Sequence, residues 1–146
     1  MAILIHTGLA TTNLDGSIKF YEEAFSFKVV FKENDILKEI ESITGIVNQK
    51  CSLAHLSMPN SEHIIELLQF DGQEKNLDIN APIKPGQAHI SFQSDDFDKL
   101  KDKVLFLGAK IIGDITFFPE GRAAYFYEPY GTFFELSESK LALKNE

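Results

Sequence analysis

Cysteine is nearly missing from this chain: a single residue, Cys51, among 146 leaves no intramolecular disulfide to form. A stapled secreted scaffold is thereby excluded, and a reducing, cytoplasmic setting is the expectation. Positive charge is scarce as well. Lys and Arg number 14 against 22 Asp and Glu, a formal net charge of −8, and the basic residues are scattered, which excludes a nucleic-acid footprint. Long apolar runs are absent: none approaches the roughly 20 residues of a membrane span. The opening "MAILIHTGLATTNLDGS" has no basic stretch ahead of its apolar residues, so neither a membrane partner nor a secretory leader is expected. What the chain does have is material for a core. Hydrophobic residues make up 44% and Phe alone numbers 13, ample for one compact domain or two small modules sharing a core.

The order of patterns repeats. "ILIHTGLA" alternates, "LDGSIKFYEEAFSF" sets Leu14, Ile18, Tyr21 and Phe25 at helical spacing, and "KVVFKE" is β-branched and short. Later, "QAHISFQS" alternates and "SDDFDKLKDKVLFLG" sets Phe97, Leu100, Val104 and Leu107 on one stripe. Ser94 or Asp95 is available there as N-cap, Gly108 as stop, and "AKII" follows. His6 and His89 open the two passages, and the helix-starting pairs Leu14-Asp15 and Phe97-Asp98 fall at the same interval from them, the mark of an internal repeat. Each half closes with two more strands, "CSLAHLSM" and "HIIELLQF" around "PNSE", then "RAAYFYE" and "TFFELSES" around "PYG". The predicted fold is therefore α+β: two β-α-β-β-β modules whose mostly antiparallel sheet curls around a concave site. The first module takes residues 1–80, a linker with two prolines 81–86, the second module 87–138 and a polar tail 139–146. Extra residues in the first half fall in "NDILKEIESITGIVNQK", where Ile36, Ile40 and Ile43 form a helical stripe, either a lid or a packing helix.

Each closing strand carries one carboxylate among hydrophobes, Glu66 in "HIIELLQF" and Glu135 in "TFFELSES". Burying an unpaired carboxylate costs roughly several kcal/mol. Alternation sets Ile65 and Leu67 against Glu66, and Phe134 and Leu136 against Glu135. If each helix covers the apolar face, His6, Glu66, His89 and Glu135 share the other face. Two imidazoles and two carboxylates suit a divalent ion, Zn, Ni, Co, Mn or Fe, and the carboxylates cancel its charge. His55 and His63 lack this symmetry and read as structural or exposed. Arg122 starts a strand leading toward the site, either as a fixed cation for a substrate anion or as a solvated loop residue.

These residues carry a resemblance. The repeat, "HTGLATTNLDGSIKFYEEAFSFKVV" and "AYFYEPYGTFFELSE" resemble the vicinal oxygen chelate superfamily, which includes glyoxalase I, epimerases, extradiol dioxygenases and the fosfomycin and bleomycin resistance proteins. By position, His6, Glu66, His89 and Glu135 match the four metal-ligand positions of glyoxalase I-like members. The resemblance implies a homodimeric, metal-dependent lyase or isomerase acting on a small molecule with adjacent oxygens through a metal-stabilised enediolate, with Glu66 or Glu135 moving the proton. Ala10 and Phe70 stand where related bacterial enzymes carry glutathione-contacting residues, which argues against a glutathione substrate. Tyr125, ten residues before Glu135, has the spacing of the active-site Tyr of the ring-cleaving dioxygenases, and reads equally as a strand aromatic. A binder of the bleomycin-resistance kind, without catalysis, is the third expectation.

Overall fold

The computed structural model describes residues 1–75 and 81–139. The chain divides into two compact units, Met1–Asn76 and Leu77–Glu146. The fold is α+β and each unit carries the expected β-α-β-β-β order. Hydrogen bonding yields two separate four-stranded sheets among the described residues. Each repeat thus builds its own sheet, because every strand finds its hydrogen-bonded neighbours within its own repeat.

The first unit runs β1 (His6–Ala10), α1 (Leu14–Phe25), β2 (Lys28–Ile36), α2 (Lys38–Thr44), β3 (Cys51–Ser57) and β4 (Ile64–Phe70). Its sheet has the order β1-β4-β3-β2, with β1 parallel to β4 and the other pairs antiparallel. Helix α1 starts where the Asn13 side chain accepts the Gly16 N–H at 3.0 Å and stops at Ser26, a left-handed residue at φ 63°. Leu14, Ile18, Tyr21 and Phe25 are all buried, as their spacing predicts. They cover the sheet face bearing Ala54, Leu56, Ile65 and Leu67, none of them more than 2% exposed. At about 25 cal/mol per Å² of apolar surface removed from water, that face is the main stabilising element of the unit. The inserted helix α2 does form, but only Ile40 is buried; Ile43 is 83% exposed and Ile36 belongs to β2. The predicted three-residue stripe thus shrinks to one anchor, too little to hold a packed helical face.

The second unit opens with a 3-10 turn at Ala81–Ile83, inside the predicted linker, and continues β5 (Ile90–Gln93), α3 (Phe97–Phe106), β6 (Lys110–Phe118), β7 (Gly121–Tyr127) and β8 (Phe133–Ser139). The order β5-β8-β7-β6, with β5 parallel to β8, repeats the first sheet. The N-cap of α3 is Asp96, whose carboxylate accepts the Lys99 N–H at 3.1 Å, rather than Ser94 or Asp95. Ser94 instead accepts the Asp96 N–H at 3.0 Å, a turn that delivers Asp96 to the cap. Phe97 and Val104 are fully buried beneath the helix, with Ala124, Phe126, Phe134 and Leu136 on the sheet face and the Phe126 and Phe134 rings stacked at 5.5 Å. Between β7 and β8 the buried Glu128 carboxylate accepts the Tyr130 and Thr132 N–H groups, fixing the turn at Pro129-Tyr130-Gly131 and with it the start of the strand that bears Glu135. The tail from Lys140 onward lies outside the described residues.

Candidate metal centre

In the first unit the site is a product of register. Parallel pairing sets Gly8 beside Glu66, with His6 two residues earlier on the same strand face. Antiparallel pairing of β3 with β4 sets His55 directly opposite Glu66, and cross-strand partners on one face lie about 5 Å apart at Cβ. Alternation turns Ile65 and Leu67 into the core and leaves His6, His55 and Glu66 together on the face away from α1. His55 Nε2 lies 2.7 Å from Glu66 Oε2 and His6 Nε2 lies 3.7 Å from Oε1. The two imidazole rings are 5.5 Å apart. One donor atom from each of the three residues falls within 4.8 Å of the others. Glu66 is only 17% exposed, so a carboxylate otherwise costly to desolvate has two imidazoles for company.

In the second unit the same positions hold a related set. Glu135 pairs with Ser91 on one side and Tyr125 on the other, and His89 sits just ahead of β5. His89 Nε2 is 3.7 Å from Glu135 Oε2, the Ser91 hydroxyl donates to Oε1 at 2.9 Å, and the Tyr125 ring lies 4.8 Å from the His89 ring. A cavity of about 580 Å³ adjoins this face, lined by Ile112, Gly113, Asp114, Thr116, Tyr125 and Glu135 among others. Its size is in the range of small-molecule sites.

Arg122, which the sequence offers as either a substrate-facing cation or a solvated loop residue, is also among the residues lining this cavity. Its place in the alternation of β7 sends the guanidinium to the helix side, where it donates to Glu138 at 2.8 Å and Asp98 at 2.6 Å and lies 4.5 Å over the Phe97 ring. The hydrogen bonds it donates to Glu138 and Asp98 drive its pKa further above the usual range, and the same contact with Arg122 holds the Asp98 carboxyl below the ordinary value. The cation ties α3 to the sheet. His63 bonds to the Thr7 hydroxyl at 2.8 Å, a structural role.

His55 is the residue that sequence reasoning set aside. The signal was present: it precedes Glu66 by nearly the interval that separates Tyr125 from Glu135, and the register makes the two positions equivalent. Cys51, fully buried at the far end of β3, is not a candidate donor. Burial, with the negative charge of Glu66 adding to it, pushes its thiol up to about 11, and metals bind the thiolate.

Each β-α-β-β-β unit thus sets an imidazole, on or just ahead of its first strand, beside a carboxylate on its last. The chain belongs to the Glyoxalase/Bleomycin resistance protein/Dioxygenase superfamily, which matches residues 3–136. Among solved structures it is similar to a glyoxalase family protein from Bacillus cereus, with 21% identity, TM-score 0.76, and 92% of this chain and 91% of that one covered. It is also similar to the genomically encoded fosfomycin resistance protein FosX from Listeria monocytogenes complexed with Mn(II) and 1S,2S-dihydroxypropylphosphonic acid, with 19% identity, TM-score 0.64, and 100% and 99% covered. A glyoxalase I variant from Zea mays matches at 22% identity and TM-score 0.63, over 97% of this chain and 47% of that one. At these identities the structures share the fold. No curated protein matches the sequence.

The donor chemistry fits a divalent ion. Imidazole nitrogens and carboxylate oxygens are the ligand types of Zn, Ni, Co, Mn and Fe, and in both units they lie within an ångström or so of the separations that ligation needs.

Proposed function

We propose that the protein is a divalent-metal-dependent lyase or isomerase of the glyoxalase I or epimerase type, acting on a small molecule with two adjacent oxygens. The observation that carries this reading is the duplication. An imidazole nitrogen stands 3.7 Å from a carboxylate oxygen in both units, at the same place in the register. His6, Glu66, His89 and Glu135 are the residues assigned to metal binding, one imidazole–carboxylate pair in each unit. A bound ion supplies Lewis acidity and charge neutralisation where negative charge develops on a substrate oxygen.

The chain's own residues do the rest. Ser91 occupies one oxygen of Glu135 and leaves Oε2 on the His89 side; His55 occupies one oxygen of Glu66. A carboxylate held by one oxygen and free at the other is oriented to move a proton at the carbon beside a carbonyl. Tyr125 and Ile112 offer apolar contact to the substrate along the cavity wall. Arg122 lines the same cavity and, ion-paired to Asp98 and Glu138, is the candidate contact for an anionic substrate group. The reading includes a homodimer working in the cytoplasm.

Glu66→Gln and Glu135→Gln, assayed on a panel of hydroxy-ketones, thioesters and hemithioacetals, test it. The expected result is a loss of turnover of roughly 10²-fold or more in each, with an unchanged circular dichroism spectrum. Full turnover in both variants sinks the reading. A ring-cleaving oxygenase is the second reading, favoured by the Tyr125 ring beside His89. Oxygen uptake with catechols by anaerobically iron-loaded protein, lost in Tyr125→Phe, supports it over the first. Protein that takes up no divalent ion and turns over nothing in the panel is a non-catalytic binder.

A further inference from the structure

The first unit holds one more donor than the four-residue set uses. Cross-strand pairing places His55 opposite Glu66 with Nε2 at 2.7 Å from its carboxylate, while His6 approaches the other carboxylate oxygen from β1. Donors ligating one ion at about 2.1 Å stand about 3.0–3.4 Å from one another in tetrahedral or octahedral geometry. The three donor atoms already lie within 4.8 Å of one another, so side-chain rotations of about an ångström close the set. Two imidazoles and one carboxylate are the composition of the facial triad that holds ferrous and related ions with positions left open. The second unit places Tyr125 where His55 stands, and among the described residues it forms no three-donor group of this kind around His89 and Glu135.

We propose that His55 is a metal ligand, completing with His6 and Glu66 a two-histidine, one-carboxylate set that lies wholly within the first unit. The inference rests on the metal dependence put forward above and adds to it a fifth residue and a location. A neutral imidazole that ligates through Nε2 carries its N–H on Nδ1, so on ligation the ring proton moves from Nε2 to Nδ1 by exchange with solvent and the freed Nε2 lone pair turns to the ion. The competing role is positional: the same contact could orient Glu66 while His55 itself stays off the metal. Counting coordinated imidazoles separates the two.

The experiment compares chelator-stripped wild type, His89→Ala/Glu135→Gln and His55→Gln, each titrated with Zn(II) by calorimetry and loaded with Cu(II) for pulsed electron paramagnetic resonance. The double variant is expected to keep about one equivalent of metal, weakened by no more than about 100-fold, and a two-imidazole signature. His55→Gln is expected to lose about 100-fold or more in affinity and one imidazole from the signature. A double variant that binds no metal beside a wild type that does overturns the inference and leaves the metal-dependent reading standing. So does a His55→Gln protein with unchanged imidazole count. A wild type that binds no metal overturns both. Long-range proton–nitrogen spectra of the wild-type imidazoles on Zn(II) addition need no substitution. His55 Nε2 entering the metal-bound range supports ligation, and its staying put while His6 moves refutes it.

Discussion

The two units share a strand order, a helix over one sheet face and a carboxylate on the last strand, yet they differ at the residues flanking that carboxylate. Glu66 has Gly8 on one side and His55 on the other; Glu135 has Ser91 and Tyr125. The shared parts are those that folding demands, because any β-α-β-β-β unit must bury one sheet face under its helix. The flanking positions face away from the core, so exchanging them leaves the apolar layer in place and changes the chemistry. Gly8 shows how local the constraint is: a Cβ there would come 3.3 Å from Leu68 Cδ1, so a serine equivalent to Ser91 would crowd its neighbour. Repetition supplied two like scaffolds, and the cross-strand neighbours made them unlike sites.

The comparison breaks most readily in the cores. Leu67 and Leu136 each follow the site carboxylate, and both are fully buried. Leu67→Ala and Leu136→Ala are each expected to cost about 2–5 kcal/mol, read as the shift of the urea unfolding curve. A cost under about 1 kcal/mol at either position would mean that the two sheets do not rely equally on this layer. A smaller effect sharpens the difference between the sites. Tyr125→His gives the second unit the donor set of the first, and Zn(II) titration should then show an added or tighter site by about 10-fold, or about 1.4 kcal/mol. Unchanged binding would show that the identity of this residue is not what separates the units.

The smallest effect concerns pH. Cys51 has Gly121 at the equivalent place in the second unit, so only the first carries a buried thiol. A folded-state pKa near 11 against a reference of 9.0 means that the unfolded chain releases this proton first as pH rises. The thiol's contribution is therefore complete below about pH 9 and is lost between about pH 9 and 11. Melting temperature followed across that window should fall in the wild type by more than in Cys51→Ala. Parallel curves would remove the thiol from the account.

Much of this was legible in the sequence, for an identifiable reason. The α1 stripe and the opposition of Ile65 and Leu67 to Glu66 follow from helix and strand periods, which are local. His55 was legible only as a near-match of intervals, because its place depends on the length of the β3–β4 connection, which sets the register, and strand alternation alone leaves that open. The partners of Arg122 were not legible for a related cause: Asp98 and Glu138, the carboxylates that pair with it, arrive from a helix and from another strand. The choice of Asp96 over Ser94 and Asp95 as cap turned on one preceding turn, a difference of one or two residues.

The parallel pairing of β1 with β4, and of β5 with β8, bears on the order of events during folding. In each unit the imidazole belongs to the first strand or the residue just ahead of it and the carboxylate to the last. Bringing them together closes a loop that contains nearly the whole repeat, the slowest kind of contact to make. A unit in which the first strand has not yet joined the last does not present the assembled pair. An ion that requires the pair is therefore a reporter of completed units, and its capture comes late.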